Sequence, residues 1–176
     1  VQKIINEKKI KKDQVIDFYK FKELINQLKG SNFIIDNQSC SIFSEKIIKT
    51  KFKILVKEDP IYKLKSIKNS SEIKHTIKVH QKDGLALTRF IYWIKNRGNK
   101  KITEVDAQNK LEKFRKMSKD YLYPSFNTIA GTGANGAIVH YRATKQNTKI
   151  INKSDIFLCD SGGQYKYGTT DVTRTI

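Results

Sequence analysis

Asp160 and Asp171 are the residues whose type and spacing most directly suggest chemistry. They stand in the segment 156–176, which reads as two β-rich runs joined by a glycine-rich turn, with one aspartate in each run. Asp160 follows the apolar run 156–159, and a carboxylate carried into a mostly apolar sheet needs a cation or hydrogen bonds to offset its lost hydration. If the segment folds back around Gly162, Gly163 and Gly168, the two runs become antiparallel neighbours and the carboxylates converge at one end. Like charges that close favour a shared proton or a bound cation, and hard divalent ions such as Mn²⁺ take oxygen ligands. On pattern alone, two aspartates beside turns read more often as turn chemistry.

The elements that must position this pair lie upstream. Residues 125–130 read as a strand entering a turn punctuated by Gly131, Gly133 and Gly136, which would let backbone approach a ligand, followed by a second strand over 137–142. His140 ends the apolar part of that second run, where a lone histidine reads as a satisfied structural residue. Asn69 and Glu72 form a capping box opening a long amphipathic helix. Ile73, Ile77, Leu87, Phe90, Ile91 and Ile94 form its apolar stripe, Gly84 suggests a close packing contact, and Gly98 ends it. Thr103 and Asp106 cap a second helix running to about residue 118, with Val105, Leu111 and Phe114 on its buried side. His75, His80 and Trp93 read as surface or packing residues of the first helix.

Further upstream, apolar positions from Val15 to Leu28 predict a helix over 13–29 ending near Gly30. Residues 33–35 and 52–56 read as short strands flanking a short helix within 40–48. The fold class is α/β (α+β), with Pro60 marking the exit from the first part.

Composition bounds the alternatives. A chain of 176 residues with 38% hydrophobic residues can build one core or two small ones. The formal charge of +18 raises nucleic acid as a partner. However, the basic residues are mostly lysines scattered over amphipathic segments, without an arginine-rich tract or interleaved aromatics, so specific nucleic-acid binding is not expected. Cys40 and Cys159 form no disulfide framework or zinc knuckle, which fits a reducing cytoplasm. No apolar run is long enough to span a bilayer, and no membrane partner is expected. The chain starts at Val1 and stops inside an apparent strand at Ile176, as an internal fragment would.

The run CDSGGQYKYGTTDVTRT resembles the first metal-ligand hairpin of aminopeptidase P, the Xaa-Pro aminopeptidase of the pita-bread metallopeptidases. The stretches KNSSEIKHTIKVHQKDGLALTRFIYWI and SFNTIAGTGANGAIVHYR, and the Asp59-Pro60 junction before them, agree with that family in the same order. The hairpin favours aminopeptidase P over prolidase, creatinase or methionine aminopeptidase. The resemblance implies that 1–60 is the C-terminal part of a non-catalytic creatinase-like α/β domain, and that 61–176 is the N-terminal half of the pita-bread catalytic domain.

The resemblance also implies a mechanism and a set of roles. Two divalent ions, usually manganese, would share a bridging hydroxide that attacks the bond before a proline in second position. Asp160 would chelate one ion and Asp171 would bridge both. Thr173, two residues on and on the same strand face, would orient Asp171. His140, at the family's spacing from Asp160, would hydrogen-bond the scissile peptide or its tetrahedral intermediate. Substrates would be peptides with penultimate proline, and a homodimer is possible. The family completes its site with one histidine and two glutamates beyond this hairpin, so the chain alone is expected to bind metal weakly and not to hydrolyse peptides. The rival readings are a non-catalytic pita-bread module that binds protein partners and a nucleic-acid-binding protein.

Overall fold

The computed structural model describes residues 2–7 and 9–176, so Val1 and Lys8 lie outside the described residues. The chain divides into two compact units, Val1–Ile67 and Lys68–Ile176.

In the first unit, α1 (Gln2–Asn6) is followed by two single turns of 3₁₀-helix, Lys12–Gln14 and Phe18–Lys20, and then by α2 (Phe21–Gln27), β1 (Asn32–Ile35), α3 (Ile42–Lys49), β2 (Lys53–Val56) and α4 (Pro60–Ser66). The strands pair in parallel from Asn32 opposite Lys53 to Ile35 opposite Val56. Parallel neighbours need a crossover, which α3 supplies. Ile25, Ile35, Ile48 and Phe52 form the core of this unit. The single helix predicted over 13–29 is broken. Asp17 adopts an extended conformation and caps the following turn by accepting from the Tyr19 amide, so regular helix starts only at Phe21. Val15 and Ile16 stay exposed, so helical spacing there served no buried face. Asp59 caps α4 by accepting from the Ile61 amide, with Pro60 in the first turn where its missing N–H costs nothing.

The second unit contains α5 (Ser70–Lys95), α6 (Glu104–Arg115), β3 (Tyr121–Pro124), β4 (Ile129–Thr132), a 3₁₀ segment Gly133–Ala137, β5 (Phe157–Ser161), β6 (Gly163–Tyr165), β7 (Gly168–Thr169) and β8 (Val172–Thr175). Both expected capping boxes form: Asn69 with Glu72 on α5, and Thr103 with Asp106 on α6. One antiparallel sheet runs β3-β6-β7 and the other β4-β5-β8. Leu87, Phe90 and Ile94 of α5 pack with Ala107 and Leu111 of α6 and with Ala130, Phe157 and Cys159 of the second sheet.

Three expectations for this unit are corrected. The buried side of α5 is Val79, Asp83, Ala86, Leu87, Phe90 and Ile94, while Ile73 and Ile77 are more than half exposed. On α6 the buried positions are Glu104, Ala107, Leu111 and Arg115, whereas Val105 and Phe114 are only half-buried. No close contact explains Gly84, because a Cβ added there would meet nothing within 4 Å. Gly84→Ala is therefore expected to stabilise the chain by about 1 kcal/mol through helix propensity alone. A chemical-denaturation midpoint that falls instead would reveal a contact at this position.

His75 stacks on Tyr167 with ring centroids 5.2 Å apart, and His80 Nδ1 lies 2.9 Å from the Thr76 carbonyl oxygen. Trp93 is half-buried against Phe90. All three act as scaffold. Both cysteines are free, and burial pushes the Cys159 thiol up to about 11.

Candidate metal centre

Strand β5 decides where Asp160 points. Its side chains alternate strictly: Phe157, Cys159 and Ser161 are buried in the core, while Leu158 and Asp160 face the other way and are half-buried. The carboxylate is thus not carried into the apolar core, as the desolvation argument assumed, but sits on the outer face of the sheet. Strand β8 pairs antiparallel with β5, and Thr173 stands opposite Asp160. Asp171, one residue before β8 and exposed, is two residues from Thr173 and so belongs to the same face. Asp171 thus stands just before the paired residues of β8, two positions ahead of the Thr173 that faces Asp160.

Thr173 has a different partner from the one expected. Its hydroxyl donates to Asp160 Oδ1 at 2.8 Å rather than steadying Asp171. Cross-strand register is the reason: directly opposed residues approach more closely than residues two apart on one strand.

The hairpin closes less simply than a single turn. Between β5 and β8 the chain forms its own small hairpin, β6 with β7, inside the other sheet. Gly162 is required at the branch point, because a Cβ there would collide with the Thr170 carbonyl oxygen and Ser125 Oγ. Ser125 Oγ donates to that same carbonyl at 2.9 Å, closing the base of the hairpin. Glycine serves close approach here rather than a left-handed turn.

His140 lies elsewhere, and its strand does not form. Residues 133–137 make a 3₁₀ turn, and the chain turns again through Ile138 and Val139, which are exposed. The cause is Glu104, which is fully buried at the start of α6. Its Oε1 accepts from the Thr132 amide at 2.8 Å and from Asn135 Nδ2 at 2.9 Å. Its Oε2 accepts from the Tyr141 hydroxyl at 2.9 Å and from the Lys149 amide at 3.0 Å. Satisfying a buried carboxylate outweighs a two-stranded pairing, and the chain bends to bring Asn135 and Tyr141 inward. Burial, reinforced by Glu104, pushes the Tyr141 phenol up to about 12, so it remains a donor at any physiological pH. His140, next to Tyr141, is held at φ 56, the one non-glycine residue with positive φ among the described residues. Backbone strain of this kind concentrates at functional sites. Gly131 of this loop serves the chain's own packing, since a Cβ there would meet Asn135 and Gly136 backbone at 2.8 Å, whereas Gly133 takes a left-handed φ of 54.

Sequence reasoning missed a second buried carboxylate. Asp83 of α5 and Arg115 of α6 form a forked pair, with Nε to Oδ1 at 2.7 Å and Nη2 to Oδ2 at 3.1 Å. Burial pushes the Asp83 carboxyl up, but Arg115, Tyr165 and Thr170 together outweigh it and hold the group below the usual carboxylate range. A signal was present. Asp83 falls in the i, i+3, i+4 series with Val79, Ala86, Leu87, Phe90 and Ile94, while Glu104 and Arg115 fall in series with Ala107 and Leu111. Charged residues at stripe positions are the mark of buried pairs.

The structure thus brings Asp160 of β5 and Thr173 of β8 together, with Asp171 just before β8, and leaves His140 on a separate turn. Two carboxylates on one open face supply hard oxygen donors suited to a divalent ion, as part of a coordination shell. Among the described residues no group of three or more His, Cys, Asp or Glu side chains is arranged to hold one. Among the described residues no helix is long and apolar enough to cross a membrane.

Comparison with known proteins bears on this arrangement. Residues 74–176 match metallopeptidase family M24. A peptidase of Schizosaccharomyces pombe is 48% identical over 119 residues, which are 66% of this chain and 20% of that protein. The Xaa-Pro aminopeptidase of Drosophila melanogaster is 44% identical over 119 residues, 66% of this chain and 19% of that enzyme. The crystal structure of an X-prolyl aminopeptidase from Caenorhabditis elegans, described as a cytosolic enzyme with a di-nuclear active site, superposes with a TM-score of 0.73 at 27% identity, covering 90% of this chain and 26% of that one. The chain spans about a fifth of the length of the curated relatives it matches. The mixed α/β architecture is similar to that of the pita-bread enzymes. With more than half of its residues covered by the family match, the chain belongs to metallopeptidase family M24.

Proposed function

We propose that this chain supplies part of the metal centre of an Xaa-Pro aminopeptidase, which removes the N-terminal residue from peptides with proline in second position. What supports this reading is the register that sets Thr173 opposite Asp160 and bonded to it, with Asp171 two residues before Thr173. Asp160 and Asp171 would hold divalent ions, manganese being the metal expected. When bound, such ions supply a water of strongly lowered pKa and a charge that polarises the scissile carbonyl. Thr173 fixes the Asp160 carboxylate so that its oxygens are presented without reorganisation. His140, held in its turn by the Glu104 cluster next door, donates to the carbonyl oxygen as negative charge develops there.

Residues 1–60 are the end of a creatinase-like α/β domain, and 61–176 the first half of the pita-bread domain. The whole protein works in the cytoplasm. The 176-residue chain by itself binds metal weakly and does not hydrolyse peptides, since its two aspartates supply only part of a coordination shell.

The test is an exchange of segments. In the Drosophila melanogaster enzyme, the 119-residue stretch matched by this chain is replaced by the corresponding residues from here. A folded chimera is expected to cleave Xaa-Pro peptides with added Mn²⁺, while the isolated chain is expected to show no turnover. A folded chimera that binds Mn²⁺ but releases no N-terminal residue would overturn the substrate reading, and turnover by the isolated chain would overturn its inactivity.

A further inference from the structure

The forked pair of Asp83 and Arg115 is only 1% exposed on either side chain. Replacing such a pair by apolar residues of similar volume is often neutral or stabilising, so stability alone does not account for it; fixing register is its best-attested use. What this pair grips is specific. Arg115 Nη2 also donates to Ser161 Oγ at 3.0 Å, and Ser161 is the residue after Asp160. Asp83 accepts from the Tyr165 hydroxyl at 2.8 Å, and Tyr165 lies on β6, whose Gly163 is bonded to Thr170, the residue before Asp171. Thr170 Oγ1 in turn accepts from the Gly163 amide at 2.9 Å, and the Thr170 amide donates to the Gly163 carbonyl at 2.9 Å. Ser161 and Thr170 are almost wholly buried. The ion pair, reaching across from two helices, therefore holds the hairpin directly at Ser161, beside Asp160, and by way of Tyr165 and Gly163 at Thr170, beside Asp171.

We infer that Asp83 and Arg115 are positioning residues that set the separation of Asp160 and Asp171 through Ser161 and Thr170, and so tune divalent-cation binding without touching the cation. The inference rests on the metal reading proposed above. Its logic is geometric: α5 and α6 are anchored in the core, so a strand tied to them at the neighbouring residue cannot slide or fray. A cradle of two carboxylates loses affinity quickly when its oxygens drift, because each conformer with the wrong spacing binds nothing.

The test uses the whole 176-residue chain and Mn²⁺ as probe. Ser161→Ala with Thr170→Val keeps the ion pair and nearly all side-chain volume but cuts both ties. Mn²⁺ affinity is read from the free-ion signal in electron paramagnetic resonance, and the amides of Thr170 to Thr173 are followed by hydrogen exchange. The expected result is at least a tenfold rise in the Mn²⁺ dissociation constant and faster exchange at those amides, with α5 protection unchanged; the conservative Thr170→Ser alone should keep native values. If the double variant does not fold, Ser161→Ala alone provides the same reading. A folded variant with unchanged affinity and unchanged exchange overturns the inference. Asp160→Asn and Asp171→Asn separate the two claims. If neither alters Mn²⁺ binding, the metal reading fails, and the exchange data alone then decide: faster exchange supports the positioning role and unchanged exchange refutes it.

Discussion

Arg115→Ala is expected to cost about 3–5 kcal/mol, because it leaves the Asp83 carboxylate buried without its counter-charge. The margin by which domains stay folded is typically of that order, so the variant should be largely unfolded or molten at 25 °C. Urea denaturation followed by circular dichroism measures this directly. The companion substitution matters as much as the first. Arg115→Met combined with Asp83→Leu removes both charges and keeps the volume, and should recover most of the loss. The pair also sets the acid limit. Asp83 is held below the usual carboxylate range, so its stabilisation is fully present above about pH 4 and is lost as pH falls through its folded value. The Met/Leu double variant should lack that component of acid sensitivity. A single Arg115→Ala substitution that leaves the urea midpoint unchanged would mean that water reaches Asp83.

Asp171→Ala in the Drosophila chimera is expected to lower kcat/KM for an Xaa-Pro peptide at least about a thousandfold, equivalent to about 4 kcal/mol of transition-state stabilisation. Asp171 is exposed and at the edge of β8, so the loss should come without a change in thermal stability. Asp160→Ala should cost a similar factor in rate, but Thr173→Val should cost only about ten- to a hundredfold, since the hydroxyl orients one oxygen rather than supplying a ligand. That ordering is the informative part. If Thr173→Val were as damaging as either aspartate, the hydroxyl would have to touch substrate. If Asp171→Ala retained full rate, the pair would be turn chemistry after all.

Much of the second unit was legible from residue pattern. Asn69 with Glu72 and Thr103 with Asp106 announce the starts of α5 and α6, because capping satisfies amides within a single turn and depends on nothing distant. The β5–β8 pairing was also legible, since alternation along 157–161 and the glycines after it belong to one continuous segment. The strand expected over 137–142 failed for the opposite reason. Its apolar run is real, but Glu104, more than thirty residues upstream, competes for Asn135 and Tyr141, and no local pattern records that demand. The helix over 13–29 failed on Asp17, whose cap starts a new turn where the apolar spacing alone would continue one.

The amino-acid sequence by itself determined that the segment 157–175 holds paired strands, with Asp160 on the first and Asp171 just before the last, because the pairing follows from period-two alternation and short-range turn chemistry. Only the tertiary structure decided that Asp160 faces outward with Thr173, that His140 sits in a left-handed turn, and that a buried ion pair ties Ser161 and Tyr165 of the hairpin to two helices. The physical reason is that buried charges are satisfied by partners distant in sequence. Their cost is set by the dielectric and hydrogen bonds of the assembled core, which no window of residues contains.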